Sequence, residues 1–189
     1  MREFIRKFIH IFFGSIIIAF YFYTNSWTML VAIGLCLIFG FLFSKLIEQG
    51  KNLGILNKLI QLSERENEKH FIGRGALLFF TGFFLTLLLD FFWIQNKTIT
   101  LASLTILVYG DGFSAIIGKV LGTHKIFGNK TLEGSTGFFL VAFIFSFTIT
   151  GNTGTAVLVS IIAALTELMP VNDNLSIPLV SSVALKLVL

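Results

Sequence analysis

The sequence predicts an all-α protein, a polytopic bundle of about seven membrane-spanning helices forming one domain over residues 1–189, with its N-terminus on the cytoplasmic side. Three observations predict it. Of the 189 residues 55% are hydrophobic and 13% charged, with a mean hydropathy of +0.88, and a soluble domain of that size cannot hide so much apolar surface. The apolar residues fall into runs of about the length that crosses a bilayer. The basic residues gather on alternate connectors, as they do in membrane proteins oriented by their lysines and arginines.

The elements follow in order. A first span, Phe4–Tyr23, comes after a basic start as a signal peptide would, but it reaches Tyr23 with bulky aromatics and no small-residue cleavage pattern, so it reads as a retained helix. The brief connector Thr24–Ser26 leads to a second span, Trp27–Phe43, whose Cys36, the single cysteine of the chain, reads as a small buried hydrophobe. A long connector, Ser44–His70, precedes the third span, Phe71–Ile94. Within it Ser63–Lys69 looks like a helix start, with Ser63 as N-cap and Glu66 three residues on. Gln95–Lys97 leads to the fourth span, Thr98–Ile117. The fifth, Ser135–Thr150, and the seventh, Leu175–Leu189, are short, as tilted, re-entrant or internally buried helices are. Between them, after Gly151–Thr153, runs the sixth, Gly154–Met169.

With a cytoplasmic N-terminus, twelve of the fourteen lysines and arginines fall inside, and only Lys97 and Lys186 fall outside. The expected location is the plasma membrane of a prokaryote, multi-pass, with every polar connector of interest on the cytoplasmic face. The net charge of +4 suits an anionic lipid surface, and nothing points to nucleic acid. Asp90 lies at the outer end of the third span, where pairing with Lys97 or interfacial solvation would satisfy it.

The chemistry concentrates in Tyr109–Ser135, YGDGFSAIIGKVLGTHKIFGNKTLEGS, which holds six glycines, two acids, three lysines and a histidine. Glycines let a backbone approach an anion, lysines neutralise phosphate, and carboxylates hold a divalent cation. Their combination at a membrane edge points to a phosphorylated ligand handled beside a lipid. Asp111 shares a helical face with Ser114 and Gly118. It reads either as a carboxylate coordinating a metal-bound nucleotide or as a structural group, paired with a lysine or arginine or held in a helix-packing hydrogen bond. The run Gly118-Lys119 to Gly122, followed by Lys130-Thr131-Leu132-Glu133-Gly134-Ser135, has the composition of a phosphate loop without Walker A spacing. Lys119 and Lys130 are candidate phosphate ligands, Thr131 a hydroxyl donor, Glu133 a metal or ribose ligand, and Gly118, Gly122, Gly134 and Ser135 the surrounding nucleotide cradle. Lys125 reads as a topology signal and His124 as a surface histidine.

Three further groups complete the candidates. His10 stands one turn after Arg6 and Lys7, as a lipid-phosphate or interface residue or as a structurally satisfied one. Glu64–Gly75 places Arg65 and Arg74 at the mouth of the third span. Glu167–Pro178, ELMPVNDNLSIP, puts Glu167 at the inner end of the sixth span and Asp173-Asn174 at the start of the seventh. Asp173 is either a helix cap or, with Glu167, a magnesium ligand or nucleophile-positioning group.

Taken together, Gly110–Gly118, Lys130–Ser135 and Glu167–Pro178 resemble the polyprenol kinase family, which includes dolichol kinase, phytol kinase and the CTP-dependent diacylglycerol kinases and is related to the membrane cytidylyltransferases. The resemblance implies a kinase moving the γ-phosphate of CTP to the hydroxyl of a membrane lipid alcohol, dolichol or another polyprenol first, phytol or diacylglycerol next. A divalent cation such as Mg²⁺ would assist. On that reading Asp111, Asp173, Lys130 and Glu133 are catalytic, and Asp111, Glu133, Asp173 and Glu167 face the metal. Lys119, Arg65 and Arg74 contact phosphates, and His10, Ser114 and Asn174 face the lipid substrate. The chain is compact beside the eukaryotic dolichol kinases and lacks the K-D…H-G-G-x-x-D-R-x-D ending of the cytidylyltransferases proper. A CTP:phosphatidate cytidylyltransferase-like enzyme is the alternative, and a small cation-binding transporter a more distant one.

Overall fold

The computed structural model describes residues 2–52, 54, 57, 72–128 and 130–189. Among them are seven helices and one small hairpin: α1 (Arg2–Tyr23), α2 (Ser26–Glu48), α3 (Arg74–Ile94), α4 (Lys97–Val120), β1 (Lys125–Phe127), β2 (Lys130–Thr131), α5 (Leu132–Thr150), α6 (Thr153–Leu168) and α7 (Asp173–Val188). The first four helices and α5 are long and apolar enough to cross a membrane, while α6 and α7 are shorter. The fifth span is longer than the hydrophobic run suggested. Its first turn holds Glu133 and Gly134, which hide a helix start from a hydropathy reading.

Asparagine starts four of these helices. Asn25, Asn96, Asn152 and Asn172 each accept a hydrogen bond from a backbone N–H in the first turn of α2, α4, α6 and α7, and Thr131 does the same for α5. Each satisfies a donor the helix cannot pair internally. The brief connectors at the end opposite the basic face therefore carry one cap apiece.

α4 is the centre of the bundle. α1, α3, α5 and α7 pack around it, α6 bridges α5 and α7, and α2 lies outside against α3. Its Leu104, Ile106, Leu107 and Val108 are fully buried with Phe83, Leu87, Phe138 and Ile177. Outward faces carry Phe8, Phe12, Phe22 and Phe92, exposed in the isolated chain as lipid-facing side chains are. Cys36 is exposed too; it faces outward from α2 rather than inward as its apolar setting suggested.

Close helix contacts occur at glycines. A Cβ on Gly82 of α3 would run into the carbonyl oxygen of Asn174. Pro178, four residues later in α7, has no N–H to give that carbonyl, so α3 seats against backbone that the proline leaves free. Asp90 forms part of a second knot, at the end opposite the basic face. It is buried, accepting from Ser26 Oγ (2.6 Å), Tyr21 Oη (3.3 Å) and the Asn96 N–H (3.0 Å). Lys97 does not pair with it: the ammonium donates instead to the carbonyls of Phe22 (2.9 Å) and Thr24 (2.5 Å).

Candidate active site

Three sequence-distant blocks meet at the basic end of the bundle. Lys130, the first residue of β2, is aimed by the hairpin at the end of α6 and the start of α7. Its ammonium donates to Glu167 Oε1 (2.6 Å) and Asp173 Oδ2 (2.9 Å), and Ser135 Oγ donates to the other oxygen of Glu167 (3.2 Å). Glu167 is 2% exposed. Oδ1 of Asp173 is buried and makes no hydrogen bond. Burial by itself would lower the Lys130 pKa, but the facing Asp173 and Glu167 carboxylates raise it above the ordinary lysine value. Burial pushes the Asp173 carboxyl above the usual aspartate range, and the negative charge of Asp111 adds to this while Lys130 opposes it.

Asp111 lies deeper. α4 widens into a π-helical segment over Ile106–Asp111, a distortion that re-aims side chains and recurs at functional sites. Neighbouring Gly110 packs on Phe138, whereas Glu167 meets Ser135, so Asp111 sits about one helical turn further into the bundle than the Lys130 cluster. Lys7 of α1 donates to Asp111 Oδ2 at 2.6 Å, both residues being buried. Nε2 of His10 stands 3.7 Å from the same oxygen, and its ring meets Phe79 edge-on with centroids 4.7 Å apart. Of the two readings of Asp111, the ion pair is thus present.

The remaining candidates separate from these two clusters. Glu133 turns the other way, to Thr123 Oγ1 (2.6 Å), His124 Nδ1 (2.9 Å) and the His124 N–H, and so ties the hairpin to the start of α5. Gly118, Gly122 and Gly134 meet around Thr131: a Cβ on any of them would crowd its hydroxyl or the facing backbone. They let the end of α4 lie against α5. Ser114 is buried and donates to the Asp111 carbonyl (3.3 Å). Lys119 is exposed, with its ammonium over the Phe4 ring. Arg74 is exposed at the start of α3. Asn174 gives its N–H to the Asn172 cap. Arg65, and the helix start expected at Ser63–Lys69, lie outside the described residues. Lys7 was missed because a lysine in a basic N-terminal run reads as a topology signal; its spacing of three from His10 on one helical face was the available clue.

Among the described residues no three His, Cys, Asp or Glu side chains converge as a metal-holding group. A magnesium–nucleotide, however, needs only one or two protein carboxylates, its other ligands being phosphates and water. The unpartnered Asp173 Oδ1, with Glu167 beside it, fits that demand. In this structure Asp111 is engaged by Lys7, and Glu133 is turned to Thr123 and His124.

No family model matches the chain, and no solved structure matches it. An uncharacterized protein of Methanocaldococcus jannaschii is 28% identical over 185 residues, covering 95% of this chain and 91% of that protein. The probable chloroplastic phytol kinase 1 of Oryza sativa subsp. japonica is 30% identical over 160 residues, 74% of this chain. The probable chloroplastic phytol kinase of Triticum aestivum is 30% identical over 141 residues, 64% of this chain. The chain spans about half the length of these plant proteins, 50% and 46% respectively. It is a distant homologue of the plant phytol kinases.

Proposed function

We propose that the protein is a CTP-dependent lipid kinase that transfers the γ-phosphate to the hydroxyl of a membrane isoprenoid alcohol, dolichol, another polyprenol or phytol, on the cytoplasmic face of a prokaryotic plasma membrane. The observation that carries the reading is the convergence of Lys130, Ser135, Glu167 and Asp173, drawn from two sequence-distant blocks of the chain, at one mouth of an apolar bundle related to phytol kinases. Phosphoryl transfer asks for positioning and charge neutralisation more than for covalent help. Lys130 supplies the positive charge at the mouth. Glu167 and Asp173 fix its position, and Asp173 Oδ1 is free to face an incoming metal–nucleotide. A divalent cation bound there would neutralise the β- and γ-phosphates. The lipid oxygen bonds to the γ-phosphorus, the bond from that phosphorus to the β,γ-bridging oxygen breaks, CDP leaves, and the hydroxyl proton passes to a carboxylate of the site.

Purified protein incubated with CTP labelled at either phosphate and a panel of isoprenoid alcohols tests the proposal. The γ-label is expected in the lipid. Transfer of the α-label would instead mark a cytidylyltransferase, and transfer of neither would remove the enzyme reading.

A further inference from the structure

Among the described residues, buried polar atoms without partners include Asp173 Oδ1, which has been given a use, and one beside Asp111, which has not. That atom is His10 Nε2. It stands 3.7 Å from Asp111 Oδ2, beyond hydrogen-bond distance. Its ring is held edge-on by Phe79 of α3. A buried polar atom left unpaired costs stability and calls for an explanation in function.

We propose that His10 and Asp111 form the seat of the acceptor hydroxyl, reached by the lipid alcohol from the bilayer between α1 and α3, with Lys7 as the positioning residue that fixes Asp111. The chemistry rests on the kinase reading above; the location of the seat does not. Three observations support it.

The first is the chemistry of the pair. A hydroxyl donates and accepts at once, so one oxygen can give its proton to the Asp111 carboxylate while accepting from the imidazole in its Nε2–H tautomer. A phosphate suits the place poorly. Lys7 and Asp111 already cancel each other's charge at 2.6 Å, so an anion arriving there meets a carboxylate and no spare cation.

The second is depth. Asp111 lies about one turn below the Lys130 cluster, within the level of the apolar core formed by Phe138 and Val108. A nucleotide approaching from water meets Lys130 first. A lipid approaching from the bilayer meets Asp111 first. The two substrates then arrive from opposite sides of one turn of helix, which is the arrangement that transfer between them requires.

The third is access. α1 packs chiefly on α4, and it meets α3 through His10 on Phe79. One turn on from His10 along α1, the Phe13 side chain is exposed. An apolar tail entering there displaces lipid and leaves the packed core undisturbed. In the reaction Asp111 takes the hydroxyl proton as the oxygen–phosphorus bond forms and CDP departs toward Lys130.

The test uses the full-length protein in lipid nanodiscs with a long-chain isoprenoid alcohol carrying a photoreactive diazirine beside its hydroxyl, without nucleotide. Labelling is expected on the peptides bearing His10 or Phe79. Unlabelled alcohol should compete, and its methyl ether should compete at least tenfold more weakly. His10→Ala should lower labelling at least tenfold and raise KM for the alcohol by a similar factor while leaving CTP binding within twofold, and His10→Gln should recover part of the loss. Lys7→Arg should lower kcat at least tenfold with KM for the alcohol little changed. Phe79→Trp, which crowds the seat without removing a polar group, should also block labelling and stands in if His10→Ala unfolds.

Labelling elsewhere, equal competition by the ether, or an effect of His10→Ala on CTP in place of the alcohol would overturn the seat. Labelling at His10 without any γ-phosphate transfer would keep the seat and remove the kinase reading. Transfer with labelling elsewhere would do the reverse.

Discussion

Truncating Lys130 to alanine removes two ion pairs at once and leaves Glu167 and Asp173 facing each other with no cation between them. Breaking a fully buried pair costs about 3–5 kcal/mol; the Lys130 side chain is 29% exposed, so a loss of about 2 kcal/mol is expected in detergent unfolding, together with at least a hundredfold fall in kcat. Lys130→Met combined with Glu167→Gln should restore most of the stability and none of the activity, which separates the two roles. The raised Asp173 pKa has its own signature. A carboxyl that must be ionised for activity, and whose pKa lies above the ordinary aspartate value of about 3.9, makes the rate fall on the acid side at a higher pH than an exposed aspartate would. The raised pKa of Lys130 keeps it charged throughout that range, so it sets no alkaline limb below about pH 10. A pH profile of kcat checks both signs, and an acid limb below pH 4 would contradict the burial of Asp173. The acids of these clusters were legible in the sequence because carboxylates beside apolar runs are conspicuous. Lys7 and the true direction of Glu133 were not, since neither the partner of a basic residue nor the turn of a hairpin side chain is encoded by spacing.

At the scale of elements, the glycines decide how closely helices approach. Gly82→Ala would drive a methyl group into the Asn174 carbonyl, separating α3 from α7 just after Asp173. Activity should fall at least tenfold and thermal stability should drop, although residue 82 touches no proposed substrate. Gly34→Ala is the matching control: its Cβ would meet only the Phe84 ring at 3.4 Å, and alanine favours a helix over glycine by about 1 kcal/mol, so stability should hold or rise slightly. The hairpin and the π-helical segment of α4 were not legible. A two-strand ribbon of five residues leaves no alternation long enough to read, and a π turn reflects how a helix is accommodated by its neighbours. The helix caps were legible in principle, since each brief outer connector carries its asparagine.

For the whole molecule, apolar run length and the segregation of basic residues sufficed for the fold class, because in lipid every backbone group must be satisfied within the helix. Where two spans are short, α6 and α7, packing against α4 and α5 takes the place of length. The orientation proposed from charge is testable with the chain's lone cysteine removed by Cys36→Ala. Single cysteines introduced at Lys125 and Asn152 should react with an impermeant maleimide from opposite sides of sealed vesicles, the former from the cytoplasmic side. Labelling of both from one side would dismantle the proposed alternation of spans.

The knot around Asp90 has a mechanical consequence. The Tyr21 hydroxyl fastens the far end of α1 to Asp90 of α3, and Lys97 of α4 holds the carbonyls of Phe22 and Thr24 there, whereas among the described residues the end bearing Lys7 rests chiefly on α4, with one aromatic contact to α3. Lys7 is fourteen residues from Tyr21, about 21 Å along a helix rising about 1.5 Å per residue. A rod pinned at one end and leaning at the other is a lever: a tilt of about 5° moves its free end by about 2 Å, comparable to the length of a hydrogen bond. The pivot therefore lies across the membrane from the chemistry it would gate.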